Sequence, residues 1–477
     1  MFKNQRHIKL RSPEASALAS AGARSGKILV LCAVLLPAIL AIVGLVVDSG
    51  MLYLERRVLR NAADAAASAA ALEAMQGGDA ETITTIAQNA ADRALADSDV
   101  LVQVRLMSDS FARESQSVEV ELTKSLRTHL VHIAGSRQTT SVRSSAVAGH
   151  QATTEGAAIV ILNEDPDRRS WEWHADFLVV GFRPTRVEGA LLVNSKHGGF
   201  DEHGDPVGPN SGPPYAAACY YSRFCASDIR VAGGVNHPDR FECTNIHDRT
   251  LAANRLPVPD PLEDLPPPGL HVDRENVIGK ERGELEATDL ERRRLEPGVY
   301  EWIRIDGGLV DFDPGVYIVR DVNPRTGLAL DIRSGQVNAE GVMFFITNQI
   351  DYSPNGSRRR QDRSTTRASG YQTGVYIRVR DSIRLTALAD GDSPYDGILL
   401  YQDRLDHRRI WIDERSHRRS SRIAGAVYAP SAHCRLYGRS RLNMRFVTRS
   451  MMIYNLGELT IAPEDLFDPA RDVFLVE

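Results

Sequence analysis

Residues 28–47 read ILVLCAVLLPAILAIVGLVV, and residues 48–75 continue as DSGMLYLERRVLRNAADAAASAAALEAM. The first 20 of these residues carry no charge. About 20 apolar residues at 1.5 Å rise each cross the hydrocarbon of a bilayer, so the run predicts one transmembrane helix. Pro37 sits in its middle, which membrane helices accommodate with a kink. Ahead of it Lys3, Arg6, Lys9, Arg11, Arg24 and Lys27 stand against a single acid, Glu14. That excess predicts a cytoplasmic tail over residues 1–27 and sends the rest of the chain across the membrane.

Two kinds of processing compete with an uncut anchor. A cleaved secretory signal has a shorter apolar core and an Ala-x-Ala-like site, whereas Val46, Val47, Asp48, Ser49 and Gly50 follow an overlong core here. A prepilin-type site would place Gly26 before the apolar run, but type IV prepilins carry Glu five residues later, where this chain has Leu31.

The helix is not expected to stop at the membrane. Alanine has the highest helix propensity, and no breaker interrupts the run from Met51 to Gln76, ahead of Gly77 and Gly78. Residues 28–75 would form a rod of roughly 70 Å, under half of it in the membrane. Ala62, Ala66 and Ala70, like Ala63, Ala67 and Ala71, recur at four-residue spacing, which permits close helix approach. Helix propensity alone would also account for them. The sharper reading is a packing face for a similar helix.

The order Asp48-Ser49-Gly50, then Leu59-Arg60-Asn61-Ala62-Ala63-Asp64-Ala65-Ala66, resembles the amino-terminal module of TadE/TadG-like proteins. In that family a span ending in Asp-x-Gly leads into a Leu-Gln-x-Ala-Ala-Asp-Ala-Ala helix, and Arg60 here replaces the glutamine. The resemblance implies a non-enzymatic, structural role in a bacterial tight-adherence (Flp) pilus-assembly or adhesion system. It implies an inner-membrane protein whose carboxy-terminal domain is periplasmic, with other pilus-assembly membrane proteins or minor pilins as partners. The lipid bilayer is the expected partner of residues 28–47.

Residues 79–150 predict a small α+β unit: a helix from Ala80 to Ala96, strands near Val100–Leu106, Val118–Leu122 and Thr140–Val147, and a short helix over residues 126–133. Some TadG-like proteins carry a von Willebrand-type metal site, Asp-x-Ser-x-Ser. The nearest candidate, Asp109-Ser110-Phe111-Ala112-Arg113, lacks both serines, so that metal site is rejected.

From residue 155 to 470 the texture changes to short strands broken by Gly, Asn and Asp. A glycine followed by an apolar or aromatic run recurs at Gly189, Gly298, Gly315, Gly341, Gly374, Gly397 and Gly425. Such imperfect recurrence predicts an all-β, right-handed β-helix-like solenoid, with a β-sandwich as the alternative. The segment from Pro257 to Pro268 reads as an extended proline belt crossing a bipartite domain. This region also resembles the carboxy-terminal half of long TadG-related proteins.

At 477 residues the chain is too long for one ordinary core, and its 43% apolar and 25% charged residues are those of folded protein. The net charge of −5 gives no global reason to expect nucleic acid. Asp306, Asp311 and Asp313 cluster, as do Asp403, Asp406 and Asp413, but turn aspartates are commonplace and no catalytic pair is assigned. An envelope-polysaccharide-acting or -binding β-helix protein and a free-standing adhesin remain the alternatives. No cofactor is expected. Cys219, Cys225 and Cys243 match no familiar zinc spacing; a disulfide from Cys219 to Cys225 or to Cys243 is expected. Arg358, Arg359 and Arg360, and Arg408, Arg409, Arg418 and Arg419, read as solvated loops or as contacts for an anionic envelope polymer.

Overall fold

The computed structural model of the chain describes residues 25–75, 78–95, 100–108, 116–127, 139–152, 156–164, 174–241, 251–268, 280–288, 291–348, 372–380, 382–389, 391, 393–414, 420–468 and 471–476. It has few helices and mostly strands, in two units: Met1–Met107 with Ser117–Ala148 and Leu475–Glu477, and Ser108–Gln116 with Gly149–Phe474.

In the first unit a long helix, α1 (Ser25–Met75), runs without a break until the Gly78 N–H donates to the Glu73 carbonyl at 3.0 Å. A second helix, α2 (Ala80–Leu95), starts at Asp79, whose Oδ1 accepts the Thr82 N–H at 2.8 Å. That bond to a free backbone donor is the N-cap, and it holds the Asp79 carboxyl below its usual range. Ile83, Ala87 and Ala91 form the buried stripe of α2, which packs on α1. Strands Val100–Ser108, Gln116–Arg127, Thr139–Ala152 and Arg471–Val476 form a four-stranded sheet in that order. Val118, Val120 and Leu122 are buried in strict alternation. The period-two pattern carries on through Leu126 and Arg127, which end a strand rather than begin the predicted helix; residues 128–133 lie outside the described residues.

Among the described residues no helix is long and apolar enough to cross a membrane. Several side chains of the predicted span, Ile28, Leu29, Val30 and Pro37 among them, lie outside the described residues, as does the predicted tail up to residue 24.

The second unit is β-rich, and apart from one short two-stranded pair its ladders are parallel. Parallel pairing argues against the sandwich, whose sheets are antiparallel. The registers resolve into three columns. One inward row of the second column runs Leu285, Ile303, Leu330, Val375, Ile410, Cys434, Met451, Phe177 and Ala217, each residue the partner of the next. All nine belong to one buried core. The first column reads Val299, Ile318, Phe345, Tyr401, Tyr428, Val447, Val160, Leu192 and Arg230 in the same manner. The third is carried by Leu295, Phe312, Ala339, Leu385 and Ile423, then Leu442, Ile461 and Val187.

The order of turns in space is not the order in sequence. The last turn, with strand Arg441–Asn455, pairs with both Ala157–Ile161 and Ala175–Gly181 of the first. The segment after Asn254 then has to carry the chain across turns that precede it and turns that follow it in sequence. It is the proline belt. Val258 exchanges two hydrogen bonds with the Asn194 side chain, at 2.7 and 2.8 Å, in the turn of Leu192. Further along, Tyr428 donates to Asp260 at 2.9 Å, and Tyr401 donates to the Leu265 carbonyl at 3.2 Å. Val258 and Leu265 thereby cover the outward apolar row of the first column, including Val160, Leu192, Phe345 and Tyr428.

The recurrent glycines open first-column strands at a corner where the backbone takes a positive φ, and at Gly425 a side chain would not fit either. Gly425 has φ +124°, and a Cβ there would lie 2.4 Å from that of Ala387. Gly374 differs: it leads a second-column strand, which explains its uneven spacing from the others.

Candidate functional site

Of the residues that the sequence singled out on α1, Asp48, Leu59, Ala62, Ala63, Ala66 and Ala70 fall on one stripe. Leu59, Ala62, Ala63, Ala66 and Ala70 are buried, Asp48 is buried about four turns before the first of these alanines, and Asp64 is half-buried. Ala65 is exposed, and Gly50 faces open space. The face is filled within its own unit, where α1 packs on α2 and its small buried residues. Lys124 from strand Gln116–Arg127 adds an ion pair to Glu55 at 3.3 Å. The short side chains of this face are buried in the unit where α1 packs on α2.

The amino-terminal half of α1 behaves oppositely. Leu35, Leu36, Ile39, Val43, Leu45 and Val47 are all exposed, and at 3.6 residues per turn they wrap at least half of the helix. Gly44 and Asp48 lie on the remaining side and are buried.

The expected disulfide is not formed. Cys219 is a free thiol and so takes part in neither expected pairing, and Cys243 lies outside the described residues. Cys219 points inward with Phe177 and Val179, and burial pushes its thiol up to about 11. Phe224 takes the inward position on its short strand, so neighbouring Cys225 points the other way.

Arg408 is not an open cation either. It is buried and donates to both oxygens of Asp406, at 3.0 and 2.6 Å, and to the Thr347 carbonyl at 3.2 Å. It lines a pocket of about 480 Å³ with Arg320, Asp321 and Gln372, but its charge is already neutralised there. Arg409 is half-buried on strand Arg409–Glu414, and Arg358, Arg359, Arg360, Arg418 and Arg419 lie outside the described residues. The carboxylates of interest are tied up in the same way. Asp311 holds Arg292 at 2.8 Å, Asp313 holds Arg294 at 2.7 Å, Asp403 accepts from Thr347 at 2.9 Å, and Asp413 holds Arg378 at 3.1 Å. Asp306 accepts from Ser334 at 3.1 Å.

A polar cluster that no motif announced is buried where the first and last turns meet. Asp176 accepts from Asn163 at 3.1 Å and from Ser195 Oγ at 2.6 Å, and Arg449 reaches Asn163 at 3.4 Å. Burial pushes the Asp176 carboxyl up to about 6. His197 Nε2 stands 4.0 Å from Asp176, and burial lowers its pKa. In a Ser-His-Asp triad the imidazole lies between serine and carboxylate; here the serine donates to the carboxylate directly, so no base serves it. Asp176, Asn163 and Ser195 satisfy one another instead, while His197 Nε2 has no hydrogen-bond partner among the described residues. Half-buried Asp201 and Glu202 and exposed His203 have ligand atoms within 4.8 Å of one another, but Asp201 Oδ1 accepts the His203 and Asp205 N–H groups as a local turn.

The comparisons with known proteins bear on α1. Residues 26–75 match the Tad family model, described as "Putative Flp pilus-assembly TadE/G-like". The likeness lies in the amino-terminal module, residues 26–75, which is of the TadE/G-like type. No curated protein and no solved structure matches the chain.

Proposed function

We propose that this protein is a membrane-anchored, non-enzymatic component of an Flp/Tad-type pilus-assembly or adhesion system, with residues 28–47 in the inner membrane and the amino terminus in the cytoplasm. One coincidence carries the reading: the matched module, residues 26–75, is the helix whose first half exposes large apolar side chains around at least half its girth. A helix apolar over so wide an arc has to be covered by lipid or protein. The basic excess ahead of it sets the orientation. We further propose that the three columns wind as a right-handed β-solenoid, presenting a long surface outside the cytoplasm. The structural pairing of the candidate carboxylates supports a binding or scaffolding role over polysaccharide cleavage, which needs two free carboxyl groups across a bond.

The test is fractionation of cells making the intact chain and an Ile39→Asp/Ile42→Asp variant, followed by purification in mild detergent. Membrane recovery of the intact chain with pilus-assembly proteins, and its loss in the variant, would support the reading. Recovery of both forms in the soluble fraction would end it.

A further inference from the structure

Three consecutive turns of the β unit round the corner between the second and third columns with three-residue links. Register fixes their alignment: Asn455 pairs with Gly181, and Leu459 with Thr185. On the other side Tyr220 pairs with Val180, and Phe224 with Thr185. Leu456 and Phe182 therefore occupy equivalent corner positions, and Tyr221 aligns with Phe182 when counted back from Thr185, the Tyr220–Val180 pairing being shifted by one residue. All three project into solvent, at 52%, 86% and 71% exposure, and the Phe182 and Tyr221 rings lie 6.0 Å apart.

The frame beneath them is rigid. Asn455 Nδ2 donates to the Arg183 and Pro184 carbonyls, at 2.7 and 3.1 Å, and to Thr185 Oγ1 at 3.0 Å. The Thr185 N–H is held by the Arg223 carbonyl at 2.9 Å. Tyr221 adopts φ +63°, a conformation that a side chain of its size rarely takes. An exposed apolar row on a braced corner with an aromatic in the left-handed region is a feature retained for contact, not loop slack. Around the row Arg183, Arg186 and Arg223 are exposed. Among the acids of the same links and the strands that follow them, Glu458 is exposed and Glu188 is already bound to Arg441 at 2.6 Å.

We propose that this corner is a docking ridge for an anionic phospholipid surface. A turn corner is convex, so it cannot enclose a peptide or a sugar chain, whereas a bilayer interface yields to a ridge. Phe182 and Leu456 offer apolar bulk without hydrogen-bonding groups, and Tyr221 offers an apolar body with a polar tip suited to the headgroup level. The arginines match anionic headgroups. The proposal rests on the membrane-anchored reading only for the nearness of a bilayer.

The full chain in nanodiscs tests it, with discs of phosphatidylcholine alone or mixed with phosphatidylglycerol, each with and without added vesicles of the mixed lipid. Co-elution with the discs reports the anchor; hydrogen exchange at residues 182–184, 221–223 and 455–458 reports the ridge. We expect about tenfold slower exchange at these corners wherever phosphatidylglycerol is present, reversed by salt. The Phe182→Ser/Tyr221→Ser/Leu456→Ser variant should lose that protection while exchange in the core strands is unchanged. Equal exchange with and without phosphatidylglycerol, in discs and with vesicles alike, overturns the proposal. So does protection in phosphatidylcholine discs that grows with protein concentration, which would mark a second copy as the occupant. If the chain fails to co-elute with discs, the anchor reading falls while the added-vesicle arm still decides the ridge.

Discussion

The alanine stripe of α1 and the inward rows of the β unit both exclude water completely, by opposite means. On α1 the buried residues are the smallest that carry a Cβ: Ala62, Ala63, Ala66, Ala67, Ala70 and Ala71. In the β unit the wholly buried side chains include Phe177, Tyr317, Phe344 and Phe446. The helix gains contact by bringing backbones together, so its limit is distance. The columns fill space between strands whose spacing is set by hydrogen bonds, so their limit is volume. One region should suffer from added atoms and the other from removed ones.

The largest effect should come from emptying a column. Phe344 packs edge-on to Phe312, at 5.6 Å between ring centroids, and lies 5.7 Å from Tyr317. Phe344→Ala should cost about 3–5 kcal/mol, read as an earlier denaturant midpoint for the β unit with the helical unit's signal unmoved. Equal loss from both signals would show that the two regions do not melt independently.

Asp176 sharpens the comparison by adding charge to a filled interior. Its folded value of about 6 lies above the ordinary 3.8, so the fold prefers the protonated form. The stability this confers is complete below about pH 4 and lost as pH rises through about 6. Asp176→Asn does not titrate, so its stability relative to the native chain should rise by about 2–3 kcal/mol between pH 4 and pH 7. A pH-independent difference between the two proteins would refute the buried, high-pKa carboxyl.

Adding atoms tests the helix. Ala66→Leu should cost about 1–3 kcal/mol by forcing α1 off its neighbours, measured by thermal melting of helical signal. Ala65→Leu, one residue away and exposed, should stay within about 0.5 kcal/mol. Equal behaviour at both positions would erase the distinction between distance-limited and volume-limited packing.

The smallest effect is expected at the strap. Arg404 donates to the carbonyls of Leu262, Glu263 and Leu265, at 2.8, 2.6 and 3.1 Å. Arg404→Met should cost about 1–2 kcal/mol and open residues 257–268 to limited proteolysis, with the columns intact. Unchanged cleavage there would mean that Asn194 and Tyr428 suffice to hold it.

Local chemistry explains which parts could be read in advance. A helix needs only neighbours along the chain, so α1, its alanine periodicity and the family match at residues 26–75 were open to direct reading. The glycine recurrence signalled corners because a positive φ is a property of one residue. The disulfide expectation failed because two cysteines six apart in sequence face opposite sides of different strands, and spacing carries no direction. Arg408 misled for a similar reason: its charge was visible, but its bidentate bond to Asp406 depends on a turn that folds the two together.

By itself the sequence determined a long amino-terminal helix with an apolar first half and a small-residue stripe, followed by a β-rich region built from short glycine-led strands. Only the tertiary structure decided what covers that stripe, and that the first turn of the β unit is laid beside the last with the proline strap crossing over the outward side of the first column. The reason is physical. Helix periodicity is written in residues a few positions apart, whereas a parallel ladder joins strands such as Ala157–Ile161 and Arg441–Asn455, which no local pattern ties to each other.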